Sequence, residues 1–417
     1  AWAFELTPEG IKLEKHVDRS QSISQMTGRK LDYIIIAVLA VALILFAFDK
    51  WVLESARDAQ PVLATSEFVT QQVSPSVVVP IAPNSIAVLP FVNMSDDPSN
   101  EYFADGISEE LLNLLSRIPE LRVAARTSSF SFKGQNVEVP DIARRLRVAH
   151  VLEGSVRKDA DRVRITAQLI KADDGYHLWS KSYDRQLDDI FAIQDDIAGA
   201  VVDALKLTLL GEAPQTEPID PESYVLYLQA VHVGAHMHAE ALEQSNALLK
   251  KVLVTAPDYA KAWRLLARNY AVQLQKRLLH RDEGNALVRE AISQALAIDP
   301  DLAEAHSWLA VWEAGNGGDL VESAQRLQHA LQLESNSDLV IGHSAGFLSM
   351  LVRLNETIEI REYELSVDPL SPIVHNNLAW NYLAAGQPDE AIATVHTLQM
   401  LSPDYDGAYS VPVSYTH

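Results

Sequence analysis

Three neighbouring histidines are the residues of this chain with the clearest capacity for metal chemistry. His232 and His236 are four positions apart, which would place both imidazoles on one face of a helix, and His238 follows closely, with Glu240 nearby. Imidazole nitrogens at this spacing can bind zinc. Histidines on a repeated helix can equally face solvent or a protein partner. We therefore expect no bound metal, and these three residues are the candidates should one bind.

Motifs that mark common enzyme sites are sparse. The sequence has no Walker-type phosphate loop, no G-x-G-x-x-G segment and no H-E-x-x-H segment. Acidic pairs occur at Asp96-Asp97 and Asp173-Asp174, and paired carboxylates can carry out acid–base catalysis. Turn propensity accounts for both pairs. We therefore expect a non-enzymatic protein without a cofactor.

Composition narrows the function further. The 417 residues include no cysteine, which excludes disulfides, thiolate zinc sites and cysteine nucleophiles and suits an oxidising compartment. The formal net charge of -22 opposes binding to a phosphate backbone, so we expect no nucleic-acid partner for this chain. A length of 417 residues predicts two or three domains.

An apolar run near the N-terminus predicts a membrane anchor over residues 31–53. Its central part is YIIIAVLAVALILFAF, and a bilayer-spanning helix needs roughly 20 residues. Lysine and arginine are in excess before the run, so residues 1–30 should be cytoplasmic and those after about 54 should be exported. A cleaved signal peptide and a buried core helix are the alternatives. The opening AWAF resembles the end of a preceding apolar segment, so we interpret the chain as a fragment.

A linker and an α/β domain should follow the anchor. Residues 54–84 are rich in Pro, Ser, Gln and Val, which is typical of an extended linker. Residues 85–212 alternate strand and helix patterns in the order β-α-β-α-β-β-β-α, which predicts a compact α/β domain with a mixed sheet. Its first helix should begin at Asp105-Gly106, with Asp105 as the N-cap, and three hairpin strands should precede its last helix.

The rest of the chain, residues 220–410, repeats. Pro300, Ser335, Pro369 and Pro403 are 35, 34 and 34 positions apart, and a small residue lies ten positions after each of the first three. A period near 34, with a proline ending the second helix, is the tetratricopeptide signature and predicts an α-solenoid. The repeat after Pro257 is nine residues longer, and we place the extra residues around 278–285. Residues 411–417 depart from the pattern, which indicates a truncated or non-native tail.

Several segments carry a family resemblance. SIAVLPFVNMSDDPSNEYFADGISEELLNLLSRIPELRVAARTSSFSFKG, VLEGSVRKDADRVRITAQLI, GYHLWSKSYDR and LDDIFAIQDDIA resemble a bacterial group described as TolB amino-terminal-domain-like or FlgO-like. That resemblance implies an exported α/β module followed by tetratricopeptide repeats. In this group the exported module is joined to different cytoplasmic domains, including winged-helix domains and class III nucleotide cyclases. The resemblance implies no catalytic residues.

Our leading interpretation is a membrane-anchored periplasmic scaffold that binds a protein or peptide in a groove of the repeats. One alternative is the sensory or effector part of a signalling receptor whose cyclase or DNA-binding domain lies elsewhere. Another is an exported hydrolase, which would need a convergent acid–base pair in a pocket. The sequence leaves the oligomeric state open. The candidate groove residues lie on first helices of the repeats, where each could equally face water: Arg264, Arg268, Asn269, Asn376, Asn377 and Asn381.

Overall fold

The computed structural model describes residues 4–7, 10–13, 81–207, 215–403 and 405. The predicted membrane segment 31–53, nearly all of the predicted linker and the tail 411–417 lie outside these ranges. Among the described residues, no helix combines the length and the apolar character needed to cross a bilayer. Two short strands, β1 (Phe4–Thr7) and β2 (Gly10–Leu13), form an antiparallel pair.

A mixed sheet with helices forms the α/β domain. The strands are ordered β5-β3-β6-β7-β8, and β4 lies beside β6. β3 runs parallel to β5 and β6, whereas β6, β7 and β8 are antiparallel neighbours. The mixed-sheet prediction is therefore confirmed. The elements are β3 (Ser85–Val88), β4 (Val92–Asn93), α1 (Glu101–Ser116), β5 (Arg122–Val123), α2 (Arg126–Phe130), α3 (Val139–Leu146), β6 (His150–Asp159), β7 (Arg162–Lys171), β8 (His177–Gln186) and α4 (Ile190–Leu205).

The sheet has one dry and one wet face, as the alternation in its middle strand indicates. In β7, Val163 and Ile165 are fully buried, whereas Arg162 and Arg164 are exposed and both pair with Asp184 of β8. Helices α1 and α4 contribute their apolar stripes to the same core as the dry face. Successive side chains of a strand point to opposite faces, which is why the pattern could be read from the sequence.

Helix α1 begins earlier than predicted. It starts at Glu101, so Asp105 lies inside the helix, only 6% exposed, and is not its N-cap. The cause is a short 3-10 turn at Pro98–Asn100, capped by Asp97, which accepts a hydrogen bond from the backbone N–H of Ser99. This turn leads directly into the helix. The short helix α2 was also not predicted.

Ten helices form five consecutive antiparallel pairs in residues 215–403. The small residues predicted between helices are buried, for example Ala310, Ala345 and Ala379 at 0% exposure. A proline follows the second helix in four of the five pairs. This arrangement is a tetratricopeptide-type solenoid. The helices are α5 (Pro221–Gly234), α6 (Ala239–Thr255), α7 (Ala260–Gln275), α8 (Arg281–Ile298), α9 (Ala303–Gly315), α10 (Leu320–Leu333), α11 (Asp338–Met350), α12 (Leu354–Val367), α13 (Pro372–Ala384) and α14 (Pro388–Leu401).

The long repeat holds its extra residues mainly within its helices. α7 and α8 have 16 and 18 residues, whereas α9 and α10 have 13 and 14. The predicted location at 278–285 covers the end of the turn and the start of α8, and so explains part of the additional length.

Candidate functional site: the inner face of the solenoid

The α/β domain lies against one face of the solenoid. We call this the inner face and define it as the first helices of the five pairs (α5, α7, α9, α11 and α13) with the loops that precede them. Contacts to the α/β domain come from α5, from α7 and from the loops before α11 and α13. The groove predicted for a partner is thus occupied over much of its length by the chain's own domain.

Apolar packing joins the first helix pair to the α/β domain. The ring centroids of Phe191 in α4 and Tyr224 in α5 are 4.7 Å apart, and Gln194 donates a 2.8 Å hydrogen bond to the Tyr224 hydroxyl. Gly106 of α1 lies so close to α5 that a Cβ atom there would be 2.7 Å from Leu228 Cδ2. One continuous hydrophobic cluster runs from the sheet through α5 to Leu309 of α9.

Charged side chains follow on α7. Lys261 Nζ is 2.6 Å from Glu110 Oε2 of α1, and the two side chains are only 16% and 6% exposed. Arg264 Nε is 2.9 Å from Glu304 Oε2 of α9. Burial acts to lower the pKa of Arg264. The surrounding groups, Glu304 first and then Tyr227, Glu109 and Glu110, outweigh burial and raise that pKa. Predicted groove residue Arg264 is therefore a paired cation whose side chain is only 16% exposed.

Arg268 lies one helical turn beyond Arg264. Its closest hydrogen bond runs from Nη1 to Asn269 Oδ1 at 3.5 Å. Burial, reinforced by the positive charge of Arg264, lowers the pKa of Arg268. Near it, Glu109 of α1 pairs with Arg126 of α2 at 2.6 Å. With the α/β domain in place, this section of the inner face is shielded from a partner.

Two of the predicted groove asparagines lie inside the solenoid. Asn269 is 0% exposed, and its amide donates to Ser245 Oγ at 2.8 Å and to Asn246 Oδ1 at 3.0 Å, both on α6. Asn381 is 7% exposed and donates to Ser349 Oγ of α11. Both asparagines follow a repeat proline by twelve positions. The structure thus assigns them to packing between neighbouring repeats, and that common offset was the available sequence signal.

The other two predicted asparagines lie on the open part of the inner face, along α13. Asn376 and Asn377 are partly exposed, and they lie between two exposed apolar side chains, Ile373 (59%) and Trp380 (39%). Asn376 Oδ1 is buried but accepts no hydrogen bond. Ile373, Asn377 and Trp380 have helical spacing, so they form one stripe. We call these four residues the α13 stripe.

A second contact with the α/β domain closes the far end of the solenoid. We call it the polar latch and define it by the pairs that follow. Asn336, before α11, donates its amide to the carbonyl oxygens of Pro119 and Leu121 at 3.1 and 3.4 Å. Next to it, Arg117 Nε is 3.5 Å from Glu334 Oε1.

The last residues of α12 and the loop before α13 supply the other half of the latch. Asp368 accepts hydrogen bonds from the Ser128 N–H and hydroxyl at 3.1 and 2.5 Å, and the Leu370 N–H donates to Ser128 Oγ at 2.8 Å. The Ala125 N–H donates to the Val367 carbonyl oxygen at 2.8 Å. Arg122 also donates to Ser366 Oγ at 2.9 Å. Leu370 adds an apolar contact with the α/β domain.

Burial and neighbouring negative charges disfavour the ionised form of two carboxylates around the latch. Burial, with the negative charges of Asp368 and Glu304 next in importance, raises the pKa of Asp338 to about 7. Burial and Glu304 likewise raise the pKa of Glu334 to about 7, against the attraction of Arg117. These groups therefore titrate near neutral pH instead of near pH 4.

The three candidate metal ligands do not share a helix face. Helix α5 ends at Gly234, so only His232 is helical; its Nδ1 lies 3.4 Å from Asp105 Oδ2. His236 follows the helix, and His238 caps α6 by accepting a hydrogen bond from the Ala241 N–H. In the described part of the chain, no group of three or more potential ligands could hold a metal ion.

A catalytic motif that the sequence analysis did not single out is Gly342-His343-Ser344-Ala345-Gly346, which fits G-x-S-x-G. In hydrolases this motif forms a sharp strand-to-helix turn that exposes the serine. Here it lies inside α11, where Ser344 is 2% exposed and donates its hydroxyl to the Val340 carbonyl oxygen. The motif therefore lacks the geometry of a nucleophile.

One serine–histidine contact also lies on the inner face. Ser307 Oγ and His343 Nδ1 are 2.9 Å apart, and the Ser307 hydroxyl also donates to the Glu304 carbonyl oxygen at 3.0 Å. Burial, with the charges of Arg361 and Arg264, lowers the pKa of His343 to about 4. A histidine in this state is a weak general base, and the contact does not support the hydrolase alternative.

Comparison with known proteins gives one partial relative. No protein-family model matches the chain. A stretch of 182 residues, 43% of the chain, is 44% identical to "Putative adenylate cyclase 3" of Rhizobium meliloti (strain 1021). The chain covers 31% of the length of that relative.

Several solved structures match part of this chain at low sequence identity. The TPR protein TTC0263 of Thermus thermophilus is 18% identical, at a TM-score of 0.38 over 45% of this chain and 95% of its own. The TPR protein YrrB is 16% identical, at a TM-score of 0.30 over 44% and 89%. The human IFIT1 dimer with m7Gppp-AAAA is 15% identical, at a TM-score of 0.40 over 52% and 50%. The solenoid type assigned here follows from this chain's own repeat spacing and helix pairing.

Proposed function

We propose that this chain is a non-enzymatic binding module, anchored in a bacterial inner membrane through residues 31–53 and displayed in the periplasm. Its solenoid binds a protein or peptide partner. The exported α/β domain is of the TolB amino-terminal or FlgO-like kind, a proposal that rests on the sequence segments quoted above.

The α13 stripe is the observation that carries this proposal. Tryptophan is among the residues that most often dominate binding energy at protein interfaces, and Trp380 is 39% exposed on a first helix. Asn376 Oδ1 has no hydrogen-bond donor, and an extended partner backbone would supply an N–H. A buried acceptor without a partner costs free energy, so binding would recover that loss.

The proposed partner is therefore a segment that offers an apolar side chain to Ile373 and Trp380 and a backbone N–H to Asn376. Arg264 and Arg268 lie deeper, where the α/β domain shields them. In this proposal they contribute to binding only if that domain moves away.

Affinity capture from envelope extract tests the proposal. The full chain is used as bait beside Trp380→Ala and Asn376→Ala variants. We expect the variants to lose the specifically captured partner, with at least about tenfold weaker binding, or about 1.4 kcal/mol. Val254→Ala, an 85% exposed position on the second helix α6, is the matched control and should capture normally. An identical captured set for all four baits would contradict the groove assignment.

A second candidate function is the sensory part of a signalling receptor. The observation that favours it is the 44% identity over 182 residues to a protein described as a putative adenylate cyclase. Determining the coding sequence upstream of Ala1 tests it. A cyclase or DNA-binding domain in the same reading frame would support this role, and two further membrane helices alone would contradict it.

A further inference from the structure

We propose that the polar latch is a releasable closure that controls access to the inner face. When it opens, helices α11–α14 move away from the α/β domain and uncover the section that holds Arg264 and Glu304. This inference rests on the proposed function, because it concerns the regulation of the same binding face.

The two ends of the interface between the α/β domain and the solenoid differ in chemistry. At the near end, Phe191, Tyr224 and Leu228 belong to one apolar cluster that the α/β domain and the solenoid share. At the far end, the contacts are mainly hydrogen bonds and an ion pair, to which Arg122 over the Tyr363 ring adds a cation–π contact and Leu370 an apolar one. Water can replace polar partners at small net cost, whereas separating a shared apolar core exposes its whole surface. The far end is therefore the one that opens.

The apolar core of helices α11–α14 is separate from the main core. The large cluster ends at Leu309 in α9. Beyond it, the described apolar residues of α11–α14 belong to several small clusters. Two of these join α9, α10 and α11, one through Ala310, Leu327 and Phe347 and the other through Ala303, Ala330 and Val340. A repeat array whose units contact mainly their neighbours can bend between units. Helices α11–α14 can therefore move together without breaking the main core.

The shielded section of the inner face contains charged side chains that could bind a ligand. Arg264 and Glu304 are 16% and 24% exposed and pair with each other, and Arg268 has only a weak hydrogen bond to the adjacent Asn269. Arginine is frequent at interfaces because its planar head can bind carboxylates with two hydrogen bonds. An arginine that is shielded but poorly satisfied is consistent with a surface that another ligand contacts in the open state.

The absence of native cysteine makes the proposal directly testable. We would place nitroxide labels at Asn136→Cys and Met400→Cys, both exposed, in the full chain in detergent and measure their separation by pulsed electron paramagnetic resonance. The parent should show one main distance. Adding Ser128→Ala, Asp368→Asn and Asn336→Ala should produce a second, longer population. Arg162→Ala, which breaks an exposed ion pair on the sheet, is the control and should leave the distance unchanged.

A second variant with fewer substitutions tests whether the longer distance could come from loss of folding. Arg117→Ala with Asn336→Ala removes the latch contacts before α11, together with the 3.4 Å hydrogen bond from the Tyr363 hydroxyl to Asn336 Oδ1 inside the solenoid. It should give the same longer population at lower abundance. If both latch variants keep a native circular dichroism spectrum and the parental distance alone, the latch is not a releasable closure. As a second readout, an arginine-directed reagent should modify Arg264 several-fold faster in the latch variants than in the parent. An unchanged modification rate would likewise overturn the proposal.

These measurements use the free chain and need no partner. A longer distance in the latch variants together with failed partner capture would therefore contradict the proposed function and leave the latch supported. Successful capture at the α13 stripe with an unchanged distance would support the proposed function and contradict the releasable latch.

Discussion

Ser128 and Asp368 are 240 residues apart in the chain, yet the serine hydroxyl lies 2.5 Å from the aspartate Oδ1. Ser128 is 0% exposed and Asp368 is 4% exposed. The contact joins the α/β domain to the loop before the fifth helix pair, and so it closes the solenoid around the domain.

Removing this hydroxyl should weaken the fold. We expect Ser128→Ala to lower the free energy of unfolding by about 1–3 kcal/mol, because it removes one donor from the buried Asp368 carboxylate and an acceptor from the Leu370 N–H. Urea denaturation followed by circular dichroism measures this change. Ser131→Ala, which loses only a local hydrogen bond to the Ser128 carbonyl oxygen, is the control and should change stability by less than about 0.5 kcal/mol. Equal effects of the two variants would contradict this role for Ser128.

The raised pKa of Asp338 predicts a pH-dependent effect. Its folded-state pKa of about 7 lies above the ordinary value, so its contribution to stability is present at low pH and is lost as the pH rises through 7. Asp338→Asn cannot ionise. The variant should therefore gain stability relative to the parent between pH 5 and 7, by up to about 1.4 kcal/mol per pH unit.

Urea unfolding of both proteins at pH 5, 6, 7 and 8 tests this prediction. His343, whose pKa is lowered to about 4, acts in the opposite direction: its contribution is present above its ordinary pKa and is lost as the pH falls through 4. It is present in both proteins and largely cancels in their difference. A stability difference that does not change with pH would contradict the raised pKa assigned to Asp338.

Two helix glycines provide a matched test of the α1–α5 packing. Gly106→Ala would place a Cβ atom 2.7 Å from Leu228 Cδ2, whereas Gly199, in α4, has no neighbouring atom within 4 Å of the same position. We expect Gly106→Ala to destabilise the protein by about 1–3 kcal/mol and Gly199→Ala to stabilise it by about 0.5–1 kcal/mol. Thermal unfolding midpoints should therefore move in opposite directions. A shift of both midpoints upward would argue against close packing of α1 on α5.

The asparagines of the inner face should separate into structural and binding residues. Asn269→Ala removes a buried amide that donates to Ser245 and Asn246, so we expect a loss of about 1–3 kcal/mol in unfolding free energy. Asn377→Ala, on the partly exposed α13 stripe, should change stability by less than about 0.5 kcal/mol. Chemical denaturation distinguishes the two, and a large loss for Asn377→Ala would remove it from the binding surface.

Much of the fold could be predicted because its patterns are local. The hairpin strands β6, β7 and β8 followed from alternation and turn residues, and the solenoid from its 34-residue period. The start of α1 was missed because a turn at Pro98 extends the helix backwards. The helical interpretation of His232 and His236 was wrong because α5 ends at Gly234, between them.

The candidate site was harder to predict because its main contacts are distant in sequence. Lys261 and Glu110 are each visible as charged residues, but their 2.6 Å pairing links positions 151 residues apart. Similarly, Arg264 looked like a free groove residue until the fold placed Glu304 beside it. Periodicity indicates which helix face a residue occupies, and it does not indicate which other domain covers that face.

The central claim is that the α/β domain lies against the inner face of its own solenoid. The most direct test is the pair Ala125→Cys and Val367→Cys, whose backbones are joined by a 2.8 Å hydrogen bond. This hydrogen bond holds the two residues side by side, and a disulfide bridges Cα atoms that are roughly 4.4–6.8 Å apart. Mild oxidation should form an intramolecular disulfide in most molecules, and a control pair of Ala125→Cys with Val254→Cys should not form one. Failure of the first pair to cross-link within the monomer would contradict the claim.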